Sequence, residues 1–221
     1  AGFPGEVPPE EETEDLIVAP LSNAASGDFA AVMAMASQSY KKSDSAYANK
    51  CLKAAKKAFA YMEEHRNEGG YTNPAEITTG EYGDTNISDE YFWAAAQLYK
   101  ATNDVAYLEA ANSVYKEDMI VGLGWADVGA YGLYAIATSE NGSKDSIAFY
   151  NSAKAKLIET ADKYVSLGKT DGYGVSLDNM YSWGSNMTVA NNADLMLLVN
   201  TIEPKKAYVK SAREHLNYLL G

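Results

Sequence analysis

Apolar positions recur along this chain in two alternating ways. In "AYANKCLKAAKKAFAYMEEH", Tyr47, Cys51, Ala55, Phe59 and Met62 follow one another at steps of four, four, four and three. Ala153, Leu157, Ala161 and Tyr164 do the same in "AFYNSAKAKLIETADKYV". Such spacing predicts helices with a single buried face. The segments that precede these helices are different: residues 30–36 and 195–199 are apolar or small nearly all round, which predicts helices enclosed on both sides. Four such pairs are visible, each an apolar helix, a short polar turn and an amphipathic helix. They run from "DFAAVMAMASQSY" to "AYANKCLKAAKKAFAYMEEH", from "EYFWAAAQLY" to "VAYLEAANSVY", from "VGAYGLYAIA" to "AFYNSAKAKLIETADKYV", and from "NNADLMLLVNTI" to "AYVKSAREHLNYLL". Hairpins of this kind bury their faces only against their neighbours, so the expected architecture is all-α, an inner and an outer helical layer forming part of an α/α toroid.

Residues 1–24 hold four of the six prolines and the acidic run "EVPPEEETED", and read as an irregular lead segment; residues 25–221 form the helical unit. A net charge of −12 would repel a phosphate backbone or anionic lipid, and no Lys/Arg cluster offsets it, so nucleic acid and membrane surfaces are excluded as partners. No apolar run has the length of a bilayer span, and a signal peptide is expected to be absent or already removed. Cys51 is the single cysteine, so no disulfide forms within the chain and a buried thiol is expected. Tyrosine outnumbers phenylalanine 17 to 5, which suits a wet groove, sugar stacking or a subunit interface.

The connections between hairpins carry most of the candidate chemistry. "RNEGGYTNPAEITTGEYGDTNIS", "KEDMIVGLGW" and "GKTDGYGVSLDNMYSW" are rich in Gly, Tyr, Trp and acids, and each leads into the N-terminus of an inner helix, so all three should open on one rim. In "GDTNISDEYFW" the oxygen-bearing side chains admit two readings: caps for the first turn of a helix, or a hard-cation site. An EF-hand does not fit, because Asp89 stands where its turn glycine belongs and Ala95 where its bidentate glutamate belongs. "GLGWAD" has Asp127 in place of the third glycine of a dinucleotide fingerprint, and neither a Gly-x-Ser-x-Gly elbow nor a phosphate loop is present. His65 and His215 fall on amphipathic helices beside charged residues and read as surface histidines without a third zinc ligand. Trp93, inside "YFWAAA", reads as core.

"PPEEETEDLIVAP", "GDFAAVMAMA", "NISDEYFWAAAQLY", "GWADVGAYGLY", "YSWGSNMTVANNADLML" and "AREHLNYLLG" together resemble consecutive blocks of the catalytic domain of glycoside hydrolase family 9, the inverting cellulases. The resemblance implies a barrel of six helical hairpins, of which about four are present in this chain. It implies a secreted endo-β-1,4-glucanase acting on cellulose, cello-oligosaccharides or β-glucan. It further implies a structural Ca2+ held by Thr85, Asn86, Asp89, Glu90 and Asp127, with Asp84 assisting, and glucosyl contacts from Trp183, Trp125, Tyr82 and Tyr181. Met187 and Thr188 depart from the polar or aromatic contacts found in some members. The family's catalytic base and general acid match no residue here. "SGDF" only echoes the base motif, and Asp28 reads as a first-turn acid. Inverting hydrolysis needs two carboxyl groups, so the chain by itself is expected to be inactive and either to associate or to require further segments of the same domain. The alternatives are a non-catalytic carbohydrate-binding helical solenoid and a structural α/α repeat protein.

Overall fold

The protein is described by a computed structural model covering residues 6–13, 15, 17–68, 70–78, 80, 81, 83–116, 119, 121–124, 126–139 and 144–221, the first three of the last span as backbone only. Side-chain caps set the helix starts. Ser22 Oγ accepts from the Ala25 N–H at 3.2 Å and opens α1 (Asn23–Tyr40), two residues earlier than the sequence boundary suggested. Asp44 Oδ1 accepts from Tyr47 N–H at 2.9 Å and opens α2 (Ser45–Glu64). α3 (Ser88–Thr102) stops where Asn103 turns left-handed at φ 57°, and Asp104 then caps α4 (Val105–Val114). α5 (Gly129–Ala137), α6 (Lys144–Thr170), α7 (Ser185–Ile202) and α8 (Lys206–Leu220) complete four hairpins among the described residues. The described residues before α1 are irregular apart from one short 3-10 turn at Pro9–Glu11.

The two layers follow from which faces are buried. α1 packs on α3, α3 on α5 and α5 on α7, forming the inner layer, while α2, α4, α6 and α8 back them from outside. On α2 the buried stripe is Ala48, Cys51, Ala55, Phe59 and Met62. Tyr47, expected in that stripe, is exposed, because the stripe's first place is taken by its smaller neighbour Ala48. Complete enclosure is confined to the middle of α3, and α5 comes next with only Tyr131 and Tyr134 half-buried. Every residue of α3 from 89 to 99 is buried, whereas α1 leaves Phe29, Val32 and Met35 exposed and α7 leaves Met187 and Leu197 exposed. α3 and α5 have an inner neighbour on each side; α1 and α7 have one. Trp93 is buried and stacks on Tyr131 at 4.9 Å, and the Cys51 thiol is buried.

Close approach of the inner helices depends on small residues. A Cβ on Gly132 of α5 would lie 2.4 Å from Cδ1 of Phe92, whose ring packs on Tyr115 and Phe149 between the layers. A Cβ on Gly27 of α1 would lie 2.7 Å from the Glu90 Cβ on α3. Overpacking at such a contact costs about 1–3 kcal/mol. G132A is therefore expected to lower the denaturant midpoint by that amount at unchanged m-value, measured by urea unfolding; an unchanged midpoint would show that α5 is not held against α3 at this position.

Candidate functional site

Three inner-helix entrances are tied into one rim by hydrogen bonds across the connections. Asp89, in the first turn of α3, accepts at Oδ2 from the Val128 N–H at the start of α5, at 2.8 Å. Asn191 of α7 donates from Nδ2 to the Leu123 carbonyl in the α4–α5 connection. The sequence pattern placed these loops on a common edge, and these two bonds join them.

The acidic entrance of α3 combines capping with unsatisfied charge. Asp84 Oδ1 accepts from Asn86 N–H at 2.9 Å and Asn86 Oδ1 from Ser88 N–H at 3.3 Å, a ladder of side-chain turns leading into the helix. Asp127 Oδ1 accepts from Gly129 N–H at 3.1 Å at the start of α5. Each of these acids also turns an oxygen inward. Asp84 Oδ2, Asp89 Oδ1, Glu90 Oε2 and Asp127 Oδ2 are buried and find no hydrogen-bond partner among the described residues, and Asp28 Oδ1 joins them. Orphaned buried carboxylate oxygens are costly, and several together are more so.

The electrostatics record that cost. Burial, then Asp89 and Asp84, push the Asp28 carboxyl up to about 6. Glu90 is raised far above the usual carboxylate range by burial first and by Asp89 next. Burial also raises Asp127 against the lowering effect of the Gly129 N–H. Asp28 is thus not the first-turn acid expected from sequence: α1 begins at Asn23, so Asp28 lies in its second turn and shares a cavity with Asp84 and Glu90. The earlier helix start, set by the Ser22 cap, moves it there.

The donor types, carboxylate oxygens lacking partners with the Asn86 amide nearby, are those a hard cation takes. Their placement is looser than a finished site. Asn86, Asp89 and Asp127 line one cavity of about 240 Å³, whereas Asp84 and Glu90 face the neighbouring one beside Asp28. Among the described residues no three acidic, histidine or cysteine side chains are gathered tightly enough to hold an ion as they stand. Thr85 is exposed between Asp84 and Asn86.

At the α7 entrance Trp183 is 100% exposed, followed by Gly184 at φ 81°, a left-handed residue that turns the chain into the helix. Tyr181 donates its hydroxyl to Asp171 Oδ2 at 2.6 Å, and its ring meets those of Tyr173 and Tyr218 at 5.9 and 6.3 Å. Asp171 also accepts from the Tyr173 N–H at 2.8 Å, a turn visible afterwards in "TDGYG" but not assigned from sequence. Trp125 and Tyr82 lie outside the described residues. His65 is partly exposed beside Glu68, but His215 is not a surface residue: it is completely buried, facing the loop before α7. No described helix is long and apolar enough to cross a membrane.

The model of glycosyl hydrolase family 9 matches residues 7–221. Endoglucanase D of Acetivibrio thermocellus is 31% identical over 99% of this chain and 35% of its own length. The xyloglucan-specific endo-beta-1,4-glucanase BoGH9A of Bacteroides ovatus is 31% identical over 99% of this chain and 40% of its own. The structure of AaCel9A in complex with cellobiose-like isofagomine superposes with a TM-score of 0.91 at 32% identity, covering all of this chain and 42% of that one. The chain thus spans 35–42% of the length of these relatives, whose fold is the (α/α)6 barrel, and its four hairpins correspond to part of it. On the match along nearly its whole length, the chain belongs to glycosyl hydrolase family 9.

Proposed function

We propose that this chain is part of the catalytic domain of a secreted, calcium-binding, inverting endo-β-1,4-glucanase acting on cellulose, cello-oligosaccharides or soluble β-glucan. The observation that carries the reading is the fully exposed Trp183 indole at the α7 entrance, two positions along the chain from Tyr181, which packs with Tyr173 and Tyr218. Pyranose C–H faces pack on such rings. Relatives it matches are named endoglucanases, and AaCel9A forms a complex with cellobiose-like isofagomine. Tyr181, with its hydroxyl engaged by Asp171, offers a ring edge rather than a free donor.

Inversion requires one carboxyl group to protonate the leaving oxygen and another to activate water on the opposite face, about 6.5–9.5 Å away. The carboxyls of this chain do other work. Asp89 and Asp127 hold the α3 and α5 entrances, and with Asp84, Glu90, Asn86 and Thr85 they would hold the Ca2+. The ion would neutralise their charge and fix the rim; no bond-breaking step belongs to them. The acid and the base belong to further parts of the domain. Those parts also cover the exposed side of α1 and the apolar groove of Leu197, Val209 and Leu216 between α7 and α8, faces through which the isolated chain would self-associate.

The chain alone is expected to bind cello-oligosaccharides without releasing reducing ends from soluble cellulose, and the complete domain to release them with anomeric inversion seen by NMR. Release by the chain alone would overturn the division of labour. Trp183→Ala should weaken cello-oligosaccharide binding by about 1 kcal/mol or more in calorimetry; unchanged affinity would remove the rim from the site.

The cation has a pH signature. Carboxyls whose folded pKa is raised contribute stability below their unfolded value, near 3.8 for Asp28, and lose it as pH rises through the folded value, about 6 for Asp28 and higher for Glu90. Metal-free protein should therefore lose melting temperature as pH rises over this window. Added Ca2+ should restore more of it at about pH 8 than at about pH 5, and Asp89→Asn should shrink the gain. A melting temperature indifferent to Ca2+ at both values would leave these acids as helix-entrance acceptors alone.

A further inference from the structure

His215 is completely buried on α8, and its hydrogen bonds define its tautomer. Nδ1 lies 2.8 Å from the Ser211 carbonyl, an obligate acceptor, so Nδ1 carries the proton. Nε2 is then a lone-pair acceptor, and it receives both the Ser176 N–H at 3.1 Å and the Ser176 hydroxyl at 2.7 Å. From the opposite side Asn192 of α7 donates from Nδ2 to Ser176 Oγ at 2.9 Å and to the Ser176 carbonyl at 3.3 Å. Ser176 is thus gripped by two helices at once. Its neighbours Val175 and Leu177 are buried with Val189 in a small core of their own, backed by Tyr218 and Leu219. This is the one buried stretch of the connection between α6 and α7; beyond it, residues 178–184 are exposed, Trp183 completely.

We propose that His215 is a positioning residue for glucan binding: through Ser176 it latches the 171–184 loop onto α7 and α8, and thereby fixes the Tyr181 and Trp183 rings at the rim. The proposal rests on the glucan reading of that rim. The latch works only with neutral imidazole, because a protonated Nε2 presents a donor to the Ser176 N–H and the contact becomes repulsive. Burial lowers the His215 pKa, opposed by its bond to Ser211 and by the charge of Asp171, so the neutral form is the resident one near neutral pH. The packed group from α7, Asn192, is uncharged; Asp171 is the acid on the loop side, and Lys169 of α6 with Lys210 and Glu214 of α8 line the adjoining cleft. A lowered folded pKa makes the latch intact above the ordinary imidazole value and lost as pH falls through the folded one.

Glutamine separates the two properties of this side chain. In His215→Gln the amide oxygen can accept from Ser176 and the amide nitrogen can donate to the Ser211 carbonyl, with nothing to titrate. Two readouts between about pH 7 and about pH 4.5 test the idea: hydrogen-exchange protection of the Ser176 amide, and affinity for cellotetraose by calorimetry. Once the pH is below the folded value, each further unit reduces the neutral fraction about tenfold. Wild-type protection and affinity should therefore be lost together as the pH falls, while the glutamine variant keeps both. Protection that does not change with pH in the wild type, or that falls equally in the glutamine variant, would overturn the latch. Protection lost while affinity holds would overturn its role in positioning. If neither protein binds cellotetraose at any pH, the glucan reading fails and the positioning role with it, while exchange still decides whether the latch exists.

Discussion

The whole arrangement depends on how closely α3 can be approached from both sides. An inner helix touched by neighbours on either flank and by an outer helix behind has no solvent face, so its polar groups must be few and its neighbours must be thin. Gly27 and Gly132 meet the second demand, the first against Glu90 and the second against Phe92. Gln97 meets the first demand by donating to Gln38 of α1, but the entrance breaks it, where Asp89 and Glu90 are carried into the interior by the same helix that brings Tyr91 to Tyr99 into the core. The acidic pocket is therefore a consequence of where α3 begins as well as a cluster of acids near a loop.

That placement joins structure to function. A carboxylate that accepts the first N–H groups of a neighbouring helix is a joint between hairpins, and Asp89 makes such a joint to Val128. Its second oxygen has no partner among the described residues, and the inward oxygens of Asp84, Glu90 and Asp127 share that state. On the far side of the rim the same kind of joint is built from neutral groups, with Ser176 hydrogen-bonded to both Asn192 and His215. One half of the rim is held by acids whose inward oxygens lack partners and the other by neutral groups paired across the loop.

Most of the fold was legible from periodicity, since four-residue spacing on α2 and α6 and the all-round apolar character of the inner helices translate directly into faces. The errors came where burial depends on a partner far along the chain. Whether α1 is enclosed cannot be read from residues 30–36, because enclosure is a property of its neighbours; likewise His215 lies in a polar, charged stretch and is buried by a loop that joins α6 to α7. Asp28 was misplaced by a helix start two residues early, a shift that one serine cap is enough to cause. The acids of the α3 entrance were recognisable by type and spacing, but their division between two cavities depends on backbone paths that no spacing encodes.

The neighbour-to-neighbour packing of the hairpins also bears on how the chain folds. Contacts run between helices adjacent in the sequence or one hairpin apart, so little loop-closure entropy is spent before packing gains accrue. At the centre of the inner layer α3 and α5 meet through the Trp93–Tyr131 stack, and the rings of Phe92, Tyr115 and Phe149 tie α3 to the outer layer beside it. α1 packs broadly on α2 and α3 whereas α7 meets α5 over a small area, so in assembly outward from this centre α7 would dock last of the inner helices and the rim would acquire its acidic half before its aromatic one.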